Sequence, residues 1–287
     1  YYVYMGGTSM SGPHAAGAAA VFVQYYKSTH TNAMPSPALV KAALINSAME
    51  LDQLNGGPGP IPNNDEGWGL ITLTNIIFTN ISTAPRYYEY VDQTALLTDG
   101  QVHVHHTLVQ NSDQPLKITL AYTDVAGFPG AIPALVNDLD LEVVAPDGTL
   151  YRGNQFAGND SVPNAPSPDN LNNVEAVHLS QPLPGDYLVR VRARRVVQDS
   201  LLETATIDQD FALVVSGNLA RPSGGSVFLD RSSYTAPSVI QLTVFDPARA
   251  AGDSVTVRLK STTEPAGEDF ILRSSGSYGA FTGAVTT

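Results

Sequence analysis

From about residue 84 onward the chain stops repeating at helical spacing and alternates apolar with polar residues, run after run. "LKITLAYTD", "LDLEVVAPDGTLYRG", "EAVHLSQPLPGDYLVRVRA" and "DFALVVSG" put apolar side chains on every second residue, a set that a strand gathers on one face. Pro146-Asp147-Gly148 and Pro184-Gly185 supply turn chemistry between them. Strands at this spacing predict an antiparallel sandwich or jelly roll. "ARPSGG", over 220–225, reads as a linker, and "VFLD", "VIQLTVFD" and "SVTVRLKS" then begin another set of strands. A sandwich takes about 100 residues, so this last stretch predicts only part of one.

The earlier residues have a different period. Tyr1 to Met5 reads as the end of an extended strand. A helix is predicted from Ser9 to about Lys27, with Ala15, Ala16 and Ala19 on one side and Val21, Phe22 and Val23 on others; small and apolar all round, it is expected to be buried. Ser36 as N-cap and Pro37 at the first position mark a second helix, with Leu39, Val40, Ala43, Leu44 and Ser47 on one face. Residues 56–64 are turn-rich, and "GWGLI" follows. These shifts of period divide the 287 residues into 1–83, 84–220 and 221–287.

Composition excludes some chemistry. With no cysteine there is no disulfide, no thiol catalysis and no zinc-thiolate site. A formal net charge of -12 repels phosphate, so a nucleic-acid partner is not expected. Of the one basic cluster, Arg190, Arg192 and Arg194 share a strand face, solvated or paired with carboxylates, and Arg195 follows. No apolar run approaches the roughly 20 residues that cross a bilayer.

Two clusters carry candidate chemistry. In "YMGGTSMSGPH", Ser9 stands at a helix start, where unpaired amides point at whatever lies beside it. It is either a cap or a nucleophile. The elbow pattern G-x-S-x-G fails because Ser11 stands where its second glycine belongs, and no Gly-Lys-Ser/Thr makes a phosphate loop. The second cluster is "LVNDLDL". Period two puts Asp138 and Asp140 on one face and Leu139, Leu141 and Val143 on the other. Asp124 follows a nearby strand, and "DNLNNVE" adds Asp169, Asn172, Asn173 and Glu175. Hard oxygen donors of this kind suit calcium, and a solvated face is the alternative. "HVHH" places His103 and His105 on one face of a strand read as solvated; His14 and His178 read as helix and strand residues without a catalytic partner.

"GGTSMSGPHAAGAAA" resembles the nucleophile segment of the subtilisin-like serine proteases, matching at Gly7, Thr8, Ser9, Met10, Ser11, Pro13 and Gly17. "PSPALVKAALINSA" is similar to that family's late helix and "GWGLITL" to its closing Gly-x-Gly strand. The resemblance implies a secreted endopeptidase acting on polypeptide substrates, with Ser9 as acylating nucleophile and its N–H as half of the oxyanion hole. In that family the catalytic Asp and His and the oxyanion Asn precede the serine. Only eight residues precede Ser9 here, so this stretch alone is expected to be inactive without the N-terminal part of the catalytic domain. The strand region resembles the jelly roll appended to certain bacterial alkaline subtilases, and more distantly the P-domain of proprotein convertases. That likeness implies structural calcium at Asp124, Asp138 and Asp140, with Asn137, Asn173 and Glu175. The expected fold is an α/β C-terminal fragment of a subtilisin-like catalytic domain, then an all-β jelly roll, then a partial β-sandwich. The rival expectation is a non-catalytic secreted β-sandwich binding module or an inactive protease homologue.

Overall fold

The computed structural model describes residues 4–30, 32–51, 59–77, 86–201, 204–219, 226–229, 234–235, 237–246, 254–261, 265–274 and 280–286. The linker expected at 220–225 and the first three residues of the strand expected at 1–5 lie outside these; Tyr4 and Met5 carry no strand. One compact unit comprises residues 1–103 and 107–219, and a second comprises 104–106 and 220–287.

The first unit opens with helices α1 (Thr8–Thr29), α2 (Pro37–Asn46) and the single turn α3 (Thr74–Ile77). Ser36 caps α2 as its sequence predicts: the Leu39 amide donates to Ser36 Oγ at 3.0 Å, and Pro37, needing no donor there, starts the helix. Residues 4–77 hold only isolated bridges, Met49 with Leu70 and Asn63 with Gly67, and no strand among the described residues.

Strands then take over: β1 (Tyr87–Leu97), β2 (Val102–Val109), β3 (Leu116–Ala121), β4 (Asp138–Val144), β5 (Leu150–Ala157), β6 (Asp160–Pro163), β7 (Val174–Leu179), β8 (Gly185–Arg195) and β9 (Gln209–Gly217). They form a sheet ordered β1-β9-β3-β7 and another ordered β2-β8-β4-β5-β6. Both sheets contribute to one core, Ile118, Leu120, Val177, Leu213 and Val215 from the first and Leu139, Leu141, Val143, Val189 and Val191 from the second. These are the alternating apolar residues of the sequence, and Leu139, Leu141 and Val143 face inward as period two requires.

The first sheet is apolar on its other face too. Ala121, Val174, Ala212 and Val214 there meet Ala38, Leu39, Ala42 and Ala43 of α2, Phe22 and Tyr26 of α1 and Ile76 of α3. Small residues let α2 lie close to the sheet. Its buried face runs through Ala38, Leu39, Ala42, Ala43 and Asn46; of the predicted face Leu39, Ala43 and Ser47 are buried, while Val40 and Leu44 are half-buried. Asn46 is fully buried: its Nδ2 donates to the carbonyls of Lys117 (3.1 Å) and Val214 (3.2 Å) and to Thr119 Oγ1 (3.1 Å), and its Oδ1 accepts from Ser216 Oγ (2.6 Å). At the other end of α2 the Ser36 amide donates to Asp92 Oδ2 (2.9 Å). The burial predicted for α1 is confined to Phe22 and Tyr26, because only its last turns reach the sheet; Ala15 is half-exposed and Ala16 exposed.

β5 turns a corner between the sheets. Its register with β4 covers Leu150 to Arg152, and beyond that Asn154, at φ 59°, offers its side chain to β7 as a strand would its backbone. Asn154 Nδ2 donates to the Val174 carbonyl (2.8 Å), and the Ala176 amide donates to Asn154 Oδ1 (3.0 Å).

In the second unit, β10 (Ser226–Leu229), β11 (Val239–Phe245), β12 (Ser254–Leu259), β13 (Glu268–Ser274) and β14 (Ala280–Thr286) form one sheet ordered β10-β11-β14-β13-β12. Leu242, Val244, Leu272, Phe281 and Val285 are its buried cluster.

Candidate active-site serine and buried acidic face

Ser9 lies exposed in the first turn of α1. Gly7, the N-cap, has φ 139°, a backbone region that favours glycine, and its carbonyl accepts the amides of Met10 (3.0 Å) and Ser11 (3.1 Å). No side chain caps the helix. The amides of Thr8 and Ser9 therefore precede the first intrahelical bond, at the positive end of the helix dipole, where a developing oxyanion is stabilised. Pro13 brings no N–H to the Ser9 carbonyl. His14 is exposed on the same helix, its Nδ1 on the Met10 carbonyl at 2.7 Å.

The acidic residues of β4 are not solvated. Asp138, Asp140 and Glu142 are 5, 1 and 7% exposed although they face away from the core leucines. Arginines provide their nearest positive charges. Arg152 Nη1 lies 2.7 Å from Glu142 Oε1 and Arg192 Nη2 3.6 Å from its Oε2. Arg194, half-exposed, reaches Asp140 Oδ2 at 3.5 Å and Asp138 Oδ2 at 3.9 Å. The arginines expected on one face of β8 are thus paired with carboxylates at Arg192 and Arg194.

Glu175 enters from β7. Where the β4–β5 register ends, the Leu141 amide donates to Glu175 Oε2 (2.8 Å), and Gly153 leaves the room: a Cβ there would run into that oxygen. Asp138 Oδ1, Asp140 Oδ1 and Glu175 Oε1 are buried and accept no hydrogen bond. Burial, then the charge of Asp138, pushes Asp140 up to about 6, with Arg194 opposing. Burial raises Asp138 as well, and it holds Glu175 well above the carboxylate range, with the charges of Asp140, Asp169 and Asp138 adding to it.

The other residues expected as ligands make hydrogen bonds to backbone and side-chain groups. Asp124 accepts the amides of Val125 (2.9 Å), Val136 (2.7 Å) and Asn137 (2.9 Å). Asn137, fully buried, donates to the Gln198 carbonyl and Gln209 Oε1 and accepts the amides of Val197 and Gln198. Asn173 donates to the Tyr122 carbonyl (3.0 Å), and Asp169 accepts from Asn154, Leu171 and Asn172. Among the described residues, no three His, Asp or Glu side chains stand close enough as placed to hold a metal ion. The three orphaned carboxylate oxygens nevertheless have the donor chemistry of a hard cation.

His103 and His105, on the face read as solvated, are half-buried, and the buried histidine of the strand, His106, is on the opposite face. His106 is 5% exposed, and the His103 ring lies 5.3 Å from Phe211 of the core. His178 is buried beside Phe156 (5.3 Å) and Trp68 (6.2 Å), and burial pushes it down to about 3.

Residues 1–69 match the subtilase family, Peptidase_S8. A curated relative, the serine protease/ABC transporter B family protein tagA of Dictyostelium discoideum, is 30% identical over 249 residues, 80% of this chain. That span is longer than the family match and so runs into the strands. The chain covers 13% of that relative's length. Among solved structures, Bacillus licheniformis lipase BlEst2 in its propeptide form aligns over 71% of this chain and 45% of its own, at 9% identity and TM-score 0.28. A β-galacturonidase of Eisenbergiella tayi bound to galacturonate aligns over 66% of this chain and 29% of its own, at 12% identity and TM-score 0.20. Among the described residues no helix is long and apolar enough to cross a membrane. The family match and the relative support a protease-related function.

Proposed function

We propose that this chain is part of a secreted serine endopeptidase in which Ser9 attacks the scissile carbonyl of a polypeptide. The observation that carries the reading is the uncapped, exposed first turn of α1 behind Gly7, within the segment that matches the subtilase family. Ser9 and its amide supply nucleophile and oxyanion donor. The base, its carboxylate partner and the second oxyanion donor come from the N-terminal part of the catalytic domain, outside this chain. A serine hydroxyl is a poor nucleophile until a base takes its proton. The test is labelling with a fluorophosphonate. The chain alone should not react, whereas the longer protein should be labelled at Ser9, and Ser9→Ala should abolish labelling and peptidase activity. Stoichiometric labelling of the chain alone, or activity surviving Ser9→Ala, refutes it.

The β1–β9 sandwich we read as a jelly roll carrying a structural calcium ion. Asp138, Asp140 and Glu175 would hold the ion, supported by their three buried oxygens without hydrogen-bond partners. Bound there, it would neutralise buried negative charge. EDTA should lower the melting temperature and calcium restore it, and Glu175→Gln should remove the response. A melting temperature indifferent to EDTA sinks the assignment.

A further inference from the structure

We propose that Arg194 is a built-in competitor for the cation of the acidic face, clasping Asp138 and Asp140 and being displaced from them when the ion binds. This rests on the cation reading above and adds to it a residue that limits affinity.

The geometry distinguishes Arg194 from its neighbours. Arg152 binds Glu142 at 2.7 Å and is 21% exposed, a tight and sheltered pair. Arg194 divides Nε and Nη1 between two carboxylates at 3.9 and 3.5 Å, and its side chain is 52% exposed. Both distances exceed the reach of a good charge-assisted hydrogen bond. The guanidinium therefore neutralises the pair without fixing it, and the long side chain can withdraw into water at small cost.

The oxygens it uses are those an ion would need. Arg194 meets Oδ2 of Asp138 and Oδ2 of Asp140, while Oδ1 of each stays buried and unbonded. The guanidinium thus stands on the same two carboxylates whose other oxygens are left without partners. Removing it frees both Oδ2 atoms beside the unbonded oxygens, and also removes a positive charge whose repulsion a divalent ion must overcome. Arg195 does not compete, because its Nε and Nη2 donate to the carbonyls of Val136 (3.1 Å) and Leu135 (2.9 Å).

Calorimetric titration of the EDTA-stripped chain with calcium chloride tests this. Arg194→Gln should bind calcium about tenfold more tightly than the parent while melting lower in EDTA. Arg192→Gln removes the same charge from Glu142, which keeps Arg152, and should leave the calcium affinity within about twofold of the parent. Equal or weaker binding by Arg194→Gln overturns the competition and leaves the cation reading standing. An equal gain in Arg192→Gln overturns it too, by showing a general charge effect. If neither the parent nor Arg194→Gln takes up calcium while both keep folded circular dichroism spectra, the cation reading falls and the competition with it.

Discussion

Replacing Asn46 by leucine tests whether the helices are part of the sandwich or merely attached to it. Asn46 fills four hydrogen bonds between α2 and the sheet, reaching β3 at Lys117 and Thr119 and β9 at Val214 and Ser216. Thr119, Ser216 and Asn46 are all fully buried. Leucine keeps the volume but strips partners from the Thr119 and Ser216 hydroxyls and from the two carbonyls. Each buried polar group left unmade costs about 1–3 kcal/mol, so two of them, less about 1 kcal/mol regained by an apolar side chain, give about 3 kcal/mol. For a unit of this size that lowers the melting temperature by about 6–12 °C. Urea unfolding followed by circular dichroism and by the fluorescence of Trp68, the single tryptophan, reads sheet and helix side together. Both transitions should move by the same amount. Adding Thr119→Val and Ser216→Ala should recover at least about 1 kcal/mol, because a fully apolar set leaves nothing unpaired. A loss below about 1 kcal/mol, no recovery, or a fluorescence transition that shifts alone would refute the reasoning.

Three further outcomes follow from named contacts. Asn154→Ala should cost more than Asn154→Gly by about 1 kcal/mol, because both lose the bonds to β7 but only alanine is strained at φ 59°; equal losses in urea would show that the backbone conformation does not matter. Gly153→Ala drives a Cβ into Glu175 and should cost about 1–3 kcal/mol, and a double-mutant cycle with Glu175→Ala should show strong coupling. Burial pushes His178 down to about 3, from 6.5, so between those values the unfolded chain binds the extra proton. Stability from this residue is full above pH 6.5 and is lost as pH falls, at up to about 1.4 kcal/mol per unit. His178→Phe should flatten the fall in urea midpoint between pH 7 and 4, and an unchanged slope would contradict the assignment.

Much of the sandwich was legible because period two is a local signal. Leu139, Leu141 and Val143 announce an inward face without knowledge of any neighbour, and Ser36-Pro37 announces a helix start. The misses are long-range. The alanines that read as a buried α1 face are not buried, because burial in α1 falls only at Phe22 and Tyr26, where the sheet is reached, and spacing along one helix does not reveal this. Asn46 stood unnoticed in "ALIN", since its four partners lie 71 to 170 residues away. At the candidate sites, Ser9 is a candidate through its motif and its place at a helix start. Asp124, Asn137 and Asn173 read as ligands from residue type, and the same side chains also serve backbone amides and carbonyls. Only partners distant in sequence show which of these a given side chain does.

Asp124 has one further consequence. Its carboxylate ties the amides of Val125, Val136 and Asn137, and Arg195 holds the carbonyls of Leu135 and Val136 beside it, so the segment between is fastened at its stem, with Phe128 and Ile132 at its tip 84 and 97% exposed. Closure is thus lodged at the stem, and the tip is under no obligation to the sheets. Doubling the length of such a loop costs only about 0.6 kcal/mol, so 126–134 is a ready graft point where a foreign peptide can be displayed on the sandwich without renegotiating its core.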